Sequence, residues 1–169
     1  MKKSLTMLSI FLVFAFAFST DMGAKDKQIP SVKVKNLKGR KVNTAKFNND
    51  GKPFIINFWA TWCKPCILEL NNINEKYAKW QKETGVKVIA VSIDDSRNSR
   101  RVAPFVKGRG WDFEIYLDEN SDLRRAMNVA NPPHTFLYDG EGNLVYEHNG
   151  YAPGDEDELY EKIKELTKK

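Results

Sequence analysis

The 169-residue chain is poor in sulfur and imidazole, with two cysteines, Cys63 and Cys66, and two histidines, His134 and His148. The histidines stand too far apart for the spacing of about three to five residues in a zinc finger, so no metal site is read from them. One cysteine pair excludes a disulfide framework. A bridge spanning only Lys64 and Pro65 would constrain the unfolded chain very little, because the stabilisation grows with the loop closed. No Gly-rich dinucleotide fingerprint occurs, so no nucleotide cofactor is implied. Ten glycines and seven prolines are too few for a collagen-like or low-complexity chain. Neither charge sign dominates: 27 basic and 22 acidic residues give +5, too mild for a dedicated nucleic-acid binder. No apolar run reaches the roughly 18 residues that a membrane-spanning helix needs.

The N-terminus is informative. Lys2 and Lys3 precede an apolar run, Leu5 to Phe14, broken only by Thr6 and Ser9. Ala15-Phe16-Ala17 and Ala17-Phe18-Ser19 both fit a small-x-small cleavage rule. Residues 1–19 therefore read as a secretory signal peptide, cut near residues 17–20, with 20–28 as a lead-in and 29–169 as one domain. A domain of that size can bury its own core. With no cysteine near the cut, a lipoprotein anchor is excluded; retention of the segment would tether the protein to a membrane. The expected location is the bacterial periplasm or another extracytoplasmic space. Export permits disulfides, and a pair useless as a staple points to redox chemistry.

Val32 to Lys35 and Lys41-Val42 alternate around a turn at Lys38-Gly39, the pattern of a hairpin. Phe54 to Trp59 and Val86 to Ile93 are nearly continuous apolar runs, as in strands covered on both faces. Between them Ile67, Leu70, Ile73, Tyr77 and Trp80 recur at helical spacing, so strand, helix and strand form a right-handed parallel unit. A short helix around Val102 to Val106, a strand over 113–117 and a helix capped by Ser121 follow. His134 to Tyr138 and Leu144 to Glu147 read as strands joined at Asp139-Gly140-Glu141-Gly142. Asp155 and Glu158 resemble a capping box opening a last helix with Leu159, Ile163 and Leu166 on its buried stripe. The order predicts a mixed α/β sheet with helices on both faces.

Trp59-Ala60-Thr61-Trp62-Cys63-Lys64-Pro65-Cys66 lies where the first buried strand gives way to a helix. Unpaired N–H groups and the dipole at that helix start stabilise a thiolate on Cys63. A Cys-x-x-Cys so placed has a thiol pKa lowered from about 8.5 to about 7 or less. At about 100° per residue, Cys66 falls within the arc of Leu70, Ile73, Tyr77 and Trp80. Cys66 is therefore expected to be buried and Cys63 exposed, a resolver beneath an attacker. Pro65 stiffens the first turn without leaving an N–H unsatisfied. Asp94-Asp95 reads as a strand-end turn.

Phe58 to Cys66, with Asn57 before it, Val91-Ser92-Ile93-Asp94-Asp95, Tyr116-Leu117-Asp118 and Pro133-His134-Thr135-Phe136-Leu137, resembles thioredoxin-like proteins. More narrowly it resembles the exported TlpA/ResA-like thiol-disulfide oxidoreductases, over about Ile29 to Leu166. The resemblance implies a thioredoxin-like fold with an N-terminal hairpin and a family insertion before the cis-proline strand. It implies that Pro133 is the cis-proline beside the Cys-x-x-Cys. Substrate backbone pairs just before that proline in the family; Pro132 here has no N–H to offer. Asn57 replaces the buried Asp that relays protons in ordinary thioredoxins. Glu69 stands at the active-site glutamate position of ResA-like proteins, where it would relay a proton or raise thiol pKa; the alternative is a solvated helix-edge residue. His134 would favour the thiolate as imidazolium, or point outward from its strand. Lys64 would support the thiolate or simply be exposed, and Trp62 would offer an apolar contact surface. The substrate-facing set is thus Trp62, Lys64, Pro65, Pro132, Pro133 and His134.

The implied activity is reduction of protein disulfides. Cys63 forms a mixed disulfide that Cys66 resolves, with no cofactor beyond the Cys63–Cys66 disulfide. The implied partners are disulfide-containing exported proteins, apocytochrome c among them, and a membrane electron donor, with no nucleic acid and a monomeric enzyme. Two alternatives share the fold: a peroxiredoxin-like thiol peroxidase, against which stands the lack of a proline in the preceding loop, and a non-enzymatic copper metallochaperone, against which stands the cysteine spacing.

Overall fold

The computed structural model describes residues 28–168. The expected signal peptide, residues 1–19, and all but the last residue of the lead-in lie outside the described residues. The elements are β1 (Lys33–Asn36), β2 (Lys41–Asn43), β3 (Phe54–Trp59), α1 (Lys64–Thr84), β4 (Lys87–Ser92), α2 (Val102–Arg109), β5 (Glu114–Leu117), α3 (Asp122–Ala126), β6 (His134–Tyr138), β7 (Leu144–Asn149) and α4 (Asp155–Thr167). Seven strands form one sheet in the order β2-β1-β5-β4-β3-β6-β7. Strands β3, β4 and β5 run parallel, and all other pairings are antiparallel. This is a thioredoxin-like α/β fold, with α2, β5 and α3 inserted between β4 and the strand that follows the two prolines.

β3 occupies the centre because its sequence can be covered on both faces, and all six of its residues are buried. Right-handed crossovers from β3 to β4 and from β4 to β5 step the same way across the sheet, which sets α1 and α2 on one face. There Trp59 packs at 4.9 Å from Trp111, whose indole N–H donates to Asn71 of α1. Trp80 of α1 stacks on Tyr160 of α4 at 5.1 Å, so α4 shares that face. Phe47 and α3, with its fully buried Leu123, cover the other face. α1 buries Cys66, Leu70, Ile73, Tyr77 and Trp80, the stripe expected from their spacing. It ends at Gly85, whose φ of 69° closes the helix in the left-handed conformation that costs glycine least.

Two helix starts differ from expectation. Ser121 caps nothing with its side chain. Instead the buried Asp118, at the end of β5, accepts from the backbone N–H groups of Asp122, Leu123 and Arg124 at 2.9, 3.2 and 2.8 Å. A carboxylate there meets three orphan donors and the helix dipole, more than a hydroxyl can. At α4 no capping box forms. Gly154 takes the cap position at φ 108°, and Asp155 turns back to accept from Ala152 N–H and to engage His148.

Asp118→Ala is expected to destabilise the protein by about 1–2 kcal/mol, the usual cost of a lost cap. Ser121→Ala should stay within about 0.5 kcal/mol. Urea unfolding of the two variants checks the order, and equal losses would refute it.

Candidate active site

The site begins where β3 ends. Ala60 to Trp62 form a tight loop, and Cys63 takes the N-cap of α1 in extended conformation. Cys63 and Cys66 are joined in a disulfide, and Cys63 Sγ accepts from Cys66 N–H at 3.3 Å. Cys66 is fully buried. Cys63 is only 5% exposed, which corrects the expectation of an open attacker. The cap contact and the bond to Cys66 fold its sulfur onto the helix end rather than outward. The neighbouring Trp62 is 62% exposed, and Lys64 and Pro65 also face solvent.

Asp94 holds this loop. Its buried carboxylate accepts from Thr61 N–H at 2.9 Å, Thr61 Oγ1 at 2.6 Å and Ser92 Oγ at 2.8 Å. Sequence reasoning gave Asp94 only a turn. The parallel register that sets Trp59 beside Ser92 gives it a clamp. The recoverable signal was an acid at the end of one parallel strand and a Thr just after its neighbour.

One turn past Cys66, Glu69 is buried, so the solvated alternative does not hold. Its carboxylate accepts from Asn57 Nδ2 at 2.9 Å and from Thr135 Oγ1 at 2.7 Å, while Asn57 Nδ2 also donates to Thr135 at 2.8 Å. Asn57 thus takes a structural part, donating from the central strand to the carboxylate on α1. Burial raises the Glu69 pKa from 4.5 to about 7, against the lowering pull of the hydrogen bonds from Thr135 and Asn57. A carboxyl so tuned can hold or release a proton at neutral pH. The local sequence around Thr135 points to no role for it; the β3–β6 register sets it opposite Asn57.

The Pro132–Pro133 peptide bond is cis. β6 starts immediately after it, with His134 paired to Phe58. The proline turn therefore reaches the same sheet end as the Cys-x-x-Cys loop, with Pro133 buried and Pro132 half-buried. His134 does not point outward. It is buried, stacks on Phe136 at 4.4 Å and sets Nε2 3.0 Å from Glu147 Oε1. Strand alternation puts it on the face opposite Thr135, where aromatic rings rather than water surround it. Among the described residues no group of three or more His, Cys, Asp and Glu side chains could hold a metal ion.

Comparison with known proteins agrees with this geometry. A profile described as the AhpC/TSA family matches residues 26–147. The thiol-disulfide oxidoreductase ResA of Bacillus thuringiensis subsp. konkukian is 34% identical over 141 residues, covering 83% of this chain and 78% of the relative. A thioredoxin-like protein from Porphyromonas gingivalis is 52% identical with a TM-score of 0.76, covering 83% of this chain and 92% of that one. StoA from Bacillus subtilis is 25% identical with a TM-score of 0.61, covering 82% of this chain and 97% of that one.

Glu69 binds its proton more tightly in the folded protein, at about 7, than at the ordinary 4.5 of an unfolded chain. Between those values the native state carries more protons than the unfolded one, so stability falls as pH rises through that window. The displacement corresponds to about 3 kcal/mol lost above pH 7. Glu69→Gln should remove this decline and melt higher than the parent near pH 8. Thermal unfolding followed from pH 4 to pH 8.5 tests it; a slope that Glu69→Gln leaves unchanged would show that folding does not displace the Glu69 pKa.

Proposed function

The chain belongs to the AhpC/TSA family and is a thiol-disulfide oxidoreductase similar to ResA, and from that premise we propose that it reduces protein disulfides outside the cytoplasm. The observation that carries this reading is the cysteine pair at a helix N-terminus with a proton-tuned carboxyl buried one turn behind it.

In the reduced enzyme the start of α1 favours the Cys63 thiolate. That sulfur attacks one sulfur of a substrate disulfide, and the other leaves as thiolate. Trp62, Lys64, Pro65 and the Pro132–Pro133 turn form the surface against which substrate lies. Pro132 has no N–H to donate, so backbone recognition there rests on its carbonyl. Cys66, sealed beneath the surface, meets only the mixed disulfide on Cys63. Its thiol gives its proton to Glu69, and the Cys66 thiolate attacks Cys63 Sγ. The second substrate sulfur departs, and the Cys63–Cys66 disulfide forms. Electrons are conserved: two pass from the enzyme dithiol to the substrate disulfide.

The Lys-Pro pair between the cysteines supports the reducing direction. A reductant in an oxidising space needs a donor, and the signal-like N-terminus supports a membrane-side one. Exported proteins with disulfides, apocytochrome c among them, are the substrates this predicts, and His134 supports the proline turn from the sheet's far face.

Cys66→Ser is expected to accumulate the mixed disulfide on Cys63, while Cys63→Ser forms none, as read by mass spectrometry after acid quench. Equilibration with dithiothreitol should place the Cys63–Cys66 potential near the about −270 mV of thioredoxin; a value near the about −120 mV of DsbA would make the protein a disulfide donor.

A further inference from the structure

The proton that Glu69 takes from Cys66 must leave the protein once per turnover. While a mixed disulfide stands on Cys63, substrate covers the surface formed by Trp62, Lys64, Pro65 and the proline turn. Glu69 must be ionised to accept from Cys66, and a proton that it still carries when the mixed disulfide forms has no way out on that side.

The sheet register supplies another direction. Asn57 of β3 pairs with Thr135 of β6, and Thr135 pairs with His148 of β7. Directly paired residues of antiparallel strands project from the same face. The three side chains therefore form one polar row beneath Glu69, running from the central strand to the sheet edge, where β7 ends the order. A cleft follows the row. It is lined by Glu69, Thr135, Tyr146, His148, Asp155, Glu156 and Leu159, and its volume is about 10 Å³. Polar groups of Glu69, Thr135 and His148 meet there, and the space is about that of one bridging water. No residue of the substrate-facing set lines it.

The titratable groups facing the cleft come from three elements. α1 gives Glu69. α4 gives Asp155 and Glu156. β7 gives Tyr146 and His148. Glu156 is committed as an anion. It is desolvated, yet hydrogen bonds from Tyr151 and Lys76 hold its carboxyl down to about 2, with Gly154 N–H also donating. Tyr146 keeps its proton, pushed above its ordinary value by burial and then by Glu158. Lys76 is bound to Glu156 and Asp157. His148 remains. Its Nε2 lies 3.1 Å from Asp155 Oδ2, and its side chain is 35% exposed, so the ring touches both cleft and solvent. With Nε2–H held by Asp155, Nδ1 is the acceptor, and an imidazole can take a proton on one nitrogen while releasing one from the other.

We infer that the cleft between Glu69 and His148 is a proton exit that works while substrate covers the cysteines, with His148 passing the proton to bulk water and Asp155 orienting its ring. The inference rests on the reading of Glu69 as acceptor of the Cys66 proton.

The test follows the resolution step in the full chain. Reduced enzyme is mixed with insulin, a protein disulfide that covers the face, or with 2-hydroxyethyl disulfide, which does not. Acid quench and mass spectrometry separate the mixed disulfide from the Cys63–Cys66 disulfide between pH 5.5 and pH 8.5. Glu69→Gln should slow resolution of both. His148→Gln should slow resolution of insulin alone, by about tenfold, less than the ~10²-fold or more of a directly acting acid–base group because slower water paths remain. Added imidazole should restore that rate, and the melting temperature should match the parent. If Glu69→Gln slows resolution but His148→Gln resolves insulin at the parental rate at every pH, the exit is wrong and the role of Glu69 stands. If His148→Gln slows both substrates equally and imidazole restores neither, its loss is structural and the exit is likewise wrong. If Glu69→Gln changes nothing, both readings fall.

Discussion

The structure depends on the pairing of β3 with a parallel neighbour on one side and an antiparallel one on the other. The parallel register sets Trp59 beside Ser92, so the end of β4 can deliver Asp94 to the loop before the cysteines. The antiparallel register sets Asn57 opposite Thr135 and Phe58 opposite His134, so the proline turn and the Glu69 partners arrive at the same sheet end. A slip of one residue in β3 would turn Asn57 to the other face, away from Thr135 and Glu69, and bring Phe58 under α1. That slip would leave buried Thr135 and Glu69 without the amide that donates to them, which makes it costly, and the chemistry of the site inherits its precision.

The disulfide sits on a support of buried polar groups, most of them paired; Asn57 Oδ1 and Trp59 Nε1 are buried without a hydrogen-bond partner. Asn57 Nδ2, Thr135 Oγ1 and the Glu69 carboxylate bond one another in the core. Asp94 and Asp118 each accept several bonds that would otherwise leave backbone or hydroxyl donors unmet. Burial of an ionisable acid is unfavourable for its charged form, and at Glu69 that penalty raises the carboxyl to about 7. A glutamate in water would stay ionised at neutral pH and could accept little; one held near 7 takes a proton and gives it up.

The same accounting separates the two faces of the sheet. On one, His134 packs among Phe136 and Phe58 and engages Glu147. On the other, His148 closes a polar row with Asp155 and solvent. Two histidines of one chain, both on strands, are thus separated in role by strand parity alone.

Much of this was legible in the sequence. The continuous apolar runs marked β3 and β4, the 3.6-residue stripe marked α1 and the burial of Cys66, and Cys-x-x-Cys after a buried strand carried the reaction class. These are local signals, because periodicity and capping act over a few residues. Other features depended on residues far apart along the chain. The Cys63 sulfur folds onto the helix end, the Glu69 side chain is sealed by Asn57 and Thr135, and Asp118 rather than Ser121 meets the start of α3. His134 turns inward because its neighbours on that face are rings. Sequence by itself determined the strand, helix and thiol pair, since these follow from local pattern and chemistry. Only the tertiary structure decided which carboxyl is buried and which histidine reaches the site, because both depend on the sheet register and on how the helices cover it.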